Sequence, residues 1–200
     1  MAREWKIVLQ QPTPLTGVLE DYWHVFLHLV TYHPEVPAAF AVGSLILGGV
    51  AWRLAPRRGW SRGPAALAGC GLALALAVTV VRPVGHFPAG GLNPLATLRE
   101  CTVGSLSLAR NYENLNVAML MPFAFFGTLA TRRPAVVAVS CVLISGLAEF
   151  VQGNTGGGTC QLRDVVHNTA GGVLGTLLAL MLRRRSRVTA ELGAGPGSMR

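Results

Sequence analysis

Charged side chains are scarce in this 200-residue chain, where they make up 13% of the residues against 51% hydrophobic ones and a mean hydropathy of +0.45. Such a composition disfavours a soluble domain and predicts a chain that lies in a bilayer. Acids are scarcer than bases, with nine against 17, which gives a net charge of +8. The bases cluster at the ends of apolar segments, and no recognition motif accompanies them, so we expect no nucleic-acid partner.

Further absences narrow the function classes. No CxxC or comparable ligand spacing joins the four cysteines to a histidine, so we expect neither a metal nor a cofactor. No cleavable signal peptide is expected, because Met1–Gln11 lack an apolar core followed by small residues. No repeat relates the two halves of the chain, which weakens a transporter hypothesis.

Five apolar runs predict an all-α, polytopic membrane bundle of about five transmembrane helices. The predicted spans are Pro37–Trp52, Pro64–Val81, Asn114–Thr131, Pro134–Val151 and Val165–Leu182. Together, residues 35–182 form the predicted transmembrane domain.

The two ends of the chain differ from this domain. Residues 1–34 mix acids and histidines with aromatic and aliphatic residues, so we predict an extracytoplasmic amphipathic helix at the membrane interface. Whether this segment lies flat or packs in the bundle is left open. Residues 183–200 are basic and then rich in glycine, which predicts a disordered tail.

The arginines also predict orientation. Eleven of the 17 bases and one of the nine acids, Glu191, fall on one side of the predicted membrane. The positive-inside rule then predicts a cell-membrane protein whose N-terminus is outside and whose C-terminus is cytoplasmic. Cys101 and Cys160 fall in the outward loops, where oxidation is permitted, so we predict a disulfide between them.

Polar residues converge where the fourth and fifth spans meet. Glu149 and Gln152 share one side of a helix, as do Asp164 and Asn168, and Arg163 lies between these pairs. Asn116 lies about one turn inside the start of the third span and is expected to line the same pocket. Glu149 and Asp164 are candidate acid–base residues, whereas Asn116, Gln152, Arg163 and Asn168 are candidate binding residues. The alternative is that these residues only lock the helices together, through a Glu149–Arg163 pair and an Asp164–Asn168 pair.

Gly171 and Gly175 give the fifth span a small-residue face for close helix packing. That face can serve packing within one chain or between two, so a homo-oligomer formed through the fifth helix is left open.

An ordered set of residues resembles the VanZ-like family of bacterial membrane proteins over residues 110–182. The set comprises Asn116, Pro122-Phe123, Gly127, Ser145, Glu149, Gln152, Arg163, Asp164, Asn168-Thr169, Gly171 and Gly175. Two positions depart from the family pattern: Pro-Phe-Gly is Pro-Phe-Ala here, and an acid often found just upstream of Asp164 is Gln161. The resemblance implies a helical membrane protein linked with low-level resistance to the glycopeptide teicoplanin, and it supplies no reaction.

Three functions follow as hypotheses. The first is a binding module whose outward polar pocket engages a lipid-linked cell-envelope precursor or a lipoglycopeptide, with membrane lipids around it. The second is an outer-leaflet enzyme that hydrolyses or transfers an envelope lipid headgroup, using Glu149 or Asp164 as general base. The third and weakest is a transporter.

Overall fold

The computed structural model describes Leu27, residues 30–80, Cys101, residues 116–155 and residues 160–193. Within these ranges every regular element is a helix. The helices are α1 (Glu35–Leu54), α2 (Arg62–Val80), α3 (Met121–Thr131), α4 (Pro134–Thr155) and α5 (Leu162–Gly193). A π-helical segment, Ser44–Gly48, lies within α1, and a 3-10 turn, Pro56–Arg58, follows it. The predicted all-α membrane bundle is therefore confirmed.

Four of these helices are long and apolar enough to cross a membrane, whereas the third predicted span, Asn114–Thr131, is a shorter apolar helix, Asn116–Thr131. A bend at Leu120 separates its first turn from α3, and Pro122 sits in the first turn of α3. Proline is tolerated there because the first helical N–H groups have no intrahelical acceptor. The chain is thus a multi-pass membrane protein with one short helix among longer ones.

The C-terminal prediction needs a correction. Residues 183–193, expected to start a disordered tail, continue α5 as helix. The physical reason is the absence of glycine and proline between Leu182 and Gly193, in a stretch that includes the good helix formers Arg, Ala, Glu and Leu. Three other predicted segments lie outside the described residues. They are residues 194–200, the connection 83–113 apart from Cys101, and the interfacial segment 1–34 apart from Leu27 and residues 30–34.

The face that α5 buries carries small or polar residues and no large aliphatic one. Its buried residues recur at helical spacing: His167, Asn168, Gly171, Gly172, Gly175, Thr176 and Ala179. The large apolar side chains of α5 are exposed instead, at Val173, Leu174, Leu177, Leu178 and Met181. Lipid tails are as apolar as leucine, so helices in a membrane associate through close packing of small residues rather than through hydrophobic burial.

Short α3 is enclosed by such close contacts. A Cβ atom at Gly171 would collide with the Val117 carbonyl oxygen, and one at Gly175 would collide with the Met121 carbonyl oxygen. On the side of α2, a Cβ at Gly71 would lie 2.7 Å from the Phe123 backbone nitrogen. Both glycines therefore pack within the chain, Gly171 against the helical turn that precedes α3 and Gly175 against the start of α3. A homo-oligomer through the fifth helix stays a prediction, and it would have to use the exposed leucine-rich face of α5.

The helices alternate in direction, so the connections between them lie at two ends of the bundle. These two ends differ in chemistry. The Ser61 N–H donates to the Ala130 carbonyl, which places the start of α2 beside the end of α3. We call this the arginine end; it carries Arg53, Arg57, Arg58, Arg62, Arg132 and Arg133. The opposite end holds the end of α2, the end of α4 and the start of α5; we call it the polar end.

We expect Gly171→Ala to destabilise the bundle by about 1–3 kcal/mol, because the added methyl must push away the Val117 backbone, in the turn that precedes α3. Thermal unfolding of the detergent-purified protein measures the change. Gly146→Ala is the matched control, since a Cβ at Gly146 on α4 meets nothing within 4 Å. Equal melting temperatures for the two variants would contradict the close approach of α3 and α5.

Candidate functional site

One face of α4 carries polar side chains into the bundle. Ser145, Glu149 and Gln152 follow one another at helical spacing, and their exposed fractions are 1%, 4% and 9%. Leu143 and Leu147, on the other faces of the same helix, are 67% and 63% exposed. A helix in lipid turns its leucines outward and its polar groups inward, because an unpaired polar group facing hydrocarbon is costly.

The deepest polar contact joins α4 to α5. The Asn168 Nδ2 donates to Ser145 Oγ over 3.1 Å, and both residues are buried. Asn168 Oδ1 is also buried, and no described residue donates to it. The two side chains help line a cavity of about 10 Å³ between α2, α3, α4 and α5, which is close to the space one water needs. This interior therefore has room for about one water molecule.

Gln152 ties α4 to the end of α2. Its Nε2 donates to the Thr79 carbonyl oxygen over 2.6 Å. Residue 83, four positions further on, is a proline and has no N–H to donate to this carbonyl, so the amide of Gln152 supplies the missing donor. The hydroxyl of Thr79 donates to the Ala75 carbonyl within α2. The amide N–H group of Gln152 is thus committed to holding two helices together.

Glu149 holds the connection between α4 and α5. Its Oε2 accepts the backbone N–H of Gln161 over 3.0 Å. The neighbouring residue, Cys160, forms a disulfide with Cys101, and their Cα atoms are 4.7 Å apart. The pairing expected from the sequence is therefore present in the structure. Residues 160 and 161 are held from two directions, by a covalent bond and by a buried carboxylate.

Arg163 lies in the first turn of α5 and contacts two neighbours. Its Nε donates to Asp164 Oδ1 over 3.4 Å, and its Nη2 donates to Gln161 Oε1. The side chains of Arg163 and Asp164 are 14% and 22% exposed. The helix-locking alternative paired Arg163 with Glu149, and Asp164 with Asn168. Among contacts between described residues, Arg163 pairs with Asp164 instead, and Asn168 pairs with Ser145.

The polar end of the bundle carries two further polar residues, Asn116 and His167. Asn116, in the first described turn before α3, is partly buried and makes no hydrogen bond to another described residue. His167 is buried, and its Nδ1 likewise finds no partner among the residues described. In these same ranges no group of three His, Cys, Asp or Glu side chains could hold a metal ion.

Sequence reasoning missed three partners: Ser145 as a contact of Asn168, Thr79 as a contact of Gln152, and Gln161 as the link between Glu149 and Arg163. The spacing of Ser145, Glu149 and Gln152 was a usable signal, since three polar residues on one side of an apolar helix mark its buried face. Thr79 gave no signal because its contribution is a backbone carbonyl.

The Ser145–Asn168 hydrogen bond predicts a measurable coupling. We expect a double-mutant cycle with Ser145→Ala and Asn168→Ala to give about 0.6 kcal/mol and at most about 1.7 kcal/mol, the average and the largest coupling found for hydrogen bonds between membrane helices. Unfolding by sodium dodecyl sulfate measures the four proteins. Ser140→Ala is the control on the same helix, because the Ser140 hydroxyl donates to its own helix at Val136. A cycle of Ser140 with Asn168 that couples as strongly would contradict the contact.

Comparisons with known proteins place the chain in a family. No curated protein and no solved structure matches it. The family model VanZ/LLP1 matches residues 72–183, a range that includes about half of α2, all of α3 and α4, and the part of α5 that carries the polar cluster. That range is more than half of the chain, and it contains every side-chain hydrogen bond of the polar cluster described above. The chain belongs to the VanZ/LLP1 family.

Proposed function

We propose that this protein is a binding module whose polar end faces outward and engages an anionic group of a lipid-linked envelope precursor or of a lipoglycopeptide. Through that binding it would contribute to teicoplanin resistance, as the family resemblance implies. The observation that carries the proposal is Arg163, a largely buried guanidinium at the polar end of the bundle. An arginine there offers a planar set of N–H donors that matches phosphate or carboxylate.

The position of Arg163 supports the proposal. It lies in the first turn of α5, where backbone N–H groups and the helix dipole also favour an anion. Gln161 and Asp164 orient the guanidinium, and the disulfide and Glu149 hold the preceding residues. Orienting a side chain before the ligand arrives lowers the entropic cost of binding.

The charge distribution supports an outward polar end. The arginine end carries six arginines in or next to the α1–α2 and α3–α4 connections, and no acid falls between Gly49 and Arg62 or between Thr128 and Val137. The positive-inside rule favours the cytoplasm for such an end. A disulfide at the polar end fits an oxidising compartment on the opposite side.

Binding is favoured over catalysis by what the other polar groups do. Glu149 Oε2 accepts a backbone N–H, and the amide N–H groups of Gln152 and Asn168 are given to protein acceptors. These side chains hold helices and a loop in place. A general base needs to reach a substrate proton. Glu149 is too deeply buried for that role, so Asp164, the more exposed of the two carboxylates, is the candidate base that the enzyme alternative would require. We therefore assign Arg163 to the ligand and the remaining groups to its support.

We expect Arg163→Gln to weaken binding of fluorescent teicoplanin, or of a fluorescent polyprenyl-diphosphate-linked sugar, by about tenfold or more, since a hydrogen bond to a charged group contributes about 1.5–3 kcal/mol. Arg163→Lys should lose less, because it keeps the charge but not the planar fork. Binding is measured on protein in lipid nanodiscs. Arg184→Gln, which removes an arginine near the other end of α5, is the control. If the Arg163→Gln protein has an unaltered melting temperature and still binds the ligand as wild type does, the assignment of Arg163 to the ligand is refuted.

The enzyme alternative has its own test. If the protein only binds, incubation with the polyprenyl-linked sugar yields no new species by mass spectrometry for wild type, Glu149→Gln or Asp164→Asn. A product that forms with wild type and disappears in Asp164→Asn, with binding retained, would show that the carboxylate is catalytic and that the binding-module proposal is wrong.

A further inference from the structure

An apolar groove of the described bundle lies at the arginine end, away from the polar cluster. Its volume is about 370 Å³, within the range of small-molecule sites. The groove has α1 and α4 as its walls, with Val50 and Val136 among the lining residues, and α2 and α3 as its floor. Val50 is 50% exposed and Val136 is 57% exposed. In a bilayer the groove would thus open sideways toward lipid.

The lining of this groove is apolar along its length. Its two lining hydroxyls, Thr131 and Ser140, donate to the carbonyls of Gly127 and Val136 in their own helices. They offer no unused donor to a polar guest. Hydrocarbon is the chemistry that this lining suits, because a polar guest would lose its water without replacement hydrogen bonds.

The mouth of the groove is charged. Arg133 is the only charged side chain among its described lining residues, and it is exposed. Arg57, Arg58 and Arg132 fall in the same two connections as Trp60 and Arg133. No described carboxylate forms an ion pair with any of these arginines. Trp60, also a lining residue, is of the type enriched at the membrane interface.

We propose that this groove is a binding site for an anionic phospholipid, with one acyl chain along the groove and the phosphate at Arg133. An apolar slot with a cationic mouth matches a ligand with a hydrocarbon tail and an anionic head, and a basic pocket between membrane helices is suited to such headgroups. A protein helix would fill the slot but leave the arginines without a counter-charge. The site is independent of the proposed function, which concerns the other end of the bundle.

Trp60 supplies the reporter for the test. The full chain carrying Trp5→Phe, Trp23→Phe and Trp52→Phe retains only Trp60. It is reconstituted in phosphatidylcholine nanodiscs that contain increasing fractions of brominated-chain phosphatidylglycerol or brominated-chain phosphatidylcholine. Bromine quenches the indole on contact. We expect the half-quenching fraction to be about fivefold lower for phosphatidylglycerol, the effect of one basic side chain near a membrane surface.

Two pairs of variants locate the lipid. Arg133→Gln should remove the preference for phosphatidylglycerol, whereas Arg62→Gln, at the same end but outside the groove lining, should keep it. Val136→Phe should reduce quenching by both lipids, because it fills the slot. Val139→Phe is its control, since Val139 is 58% exposed on the same helix and does not line the groove.

Each possible result either supports or overturns the proposal. Equal quenching by the two brominated lipids would overturn the proposal. An equal loss of the preference for phosphatidylglycerol in Arg62→Gln and Arg133→Gln would indicate a diffuse basic surface and would also overturn it. Equal quenching in Val136→Phe and Val139→Phe would overturn it as well. Unfolding by sodium dodecyl sulfate is measured for each variant, and only variants that unfold as wild type does are compared, so that an effect on quenching reports the site itself.

Discussion

The backbone contact between α5 and α3 is the constraint on which the rest of the bundle depends. Gly171 and Gly175 bring α5 so close to Val117 and Met121 that a side chain has no room between them. Such closeness strengthens dispersion contacts along both helices, which is the main source of helix association in lipid. It also encloses α3, whose Ala124 and Thr128 are fully buried. A helix too short to match its neighbours is thereby held in the middle of the bundle.

This close packing determines where the polar groups meet. Asn168 lies one turn before Gly171 on the buried face of α5, so it is carried into the interior, where it meets Ser145 of α4. Thr176, one residue after Gly175, is brought to within 3.5 Å of Thr128 in the same way. Individual hydrogen bonds of this type contribute little, about 0.6 kcal/mol on average between membrane helices. Their main effect here is to fix the relative rotation of the helices.

The sequence was sufficient for those features that depend on composition or on local spacing. Apolar runs bounded by arginines located all five helices, and the small-residue spacing identified the face of α5 that packs closely. The outward position expected of Cys101 and Cys160 predicted their disulfide. Partners across helices were harder, because they depend on rotation and register that one helix cannot reveal. Spacing put Asp164 and Asn168 on one side of α5, yet Asn168 contacts Ser145 and Asp164 contacts Arg163.

The contacts of Gln161 explain what the departure from the family pattern at this position changes. Its side-chain oxygen accepts from Arg163, and its backbone N–H donates to Glu149. An acid at this position would put a second carboxylate beside the guanidinium, in addition to Asp164. The neutral amide keeps the hydrogen bond that orients Arg163 without adding negative charge next to it. Because charges near a protein surface interact by about 4 kcal/mol at 4 Å, that difference would strengthen the attraction of Arg163 for an anionic ligand.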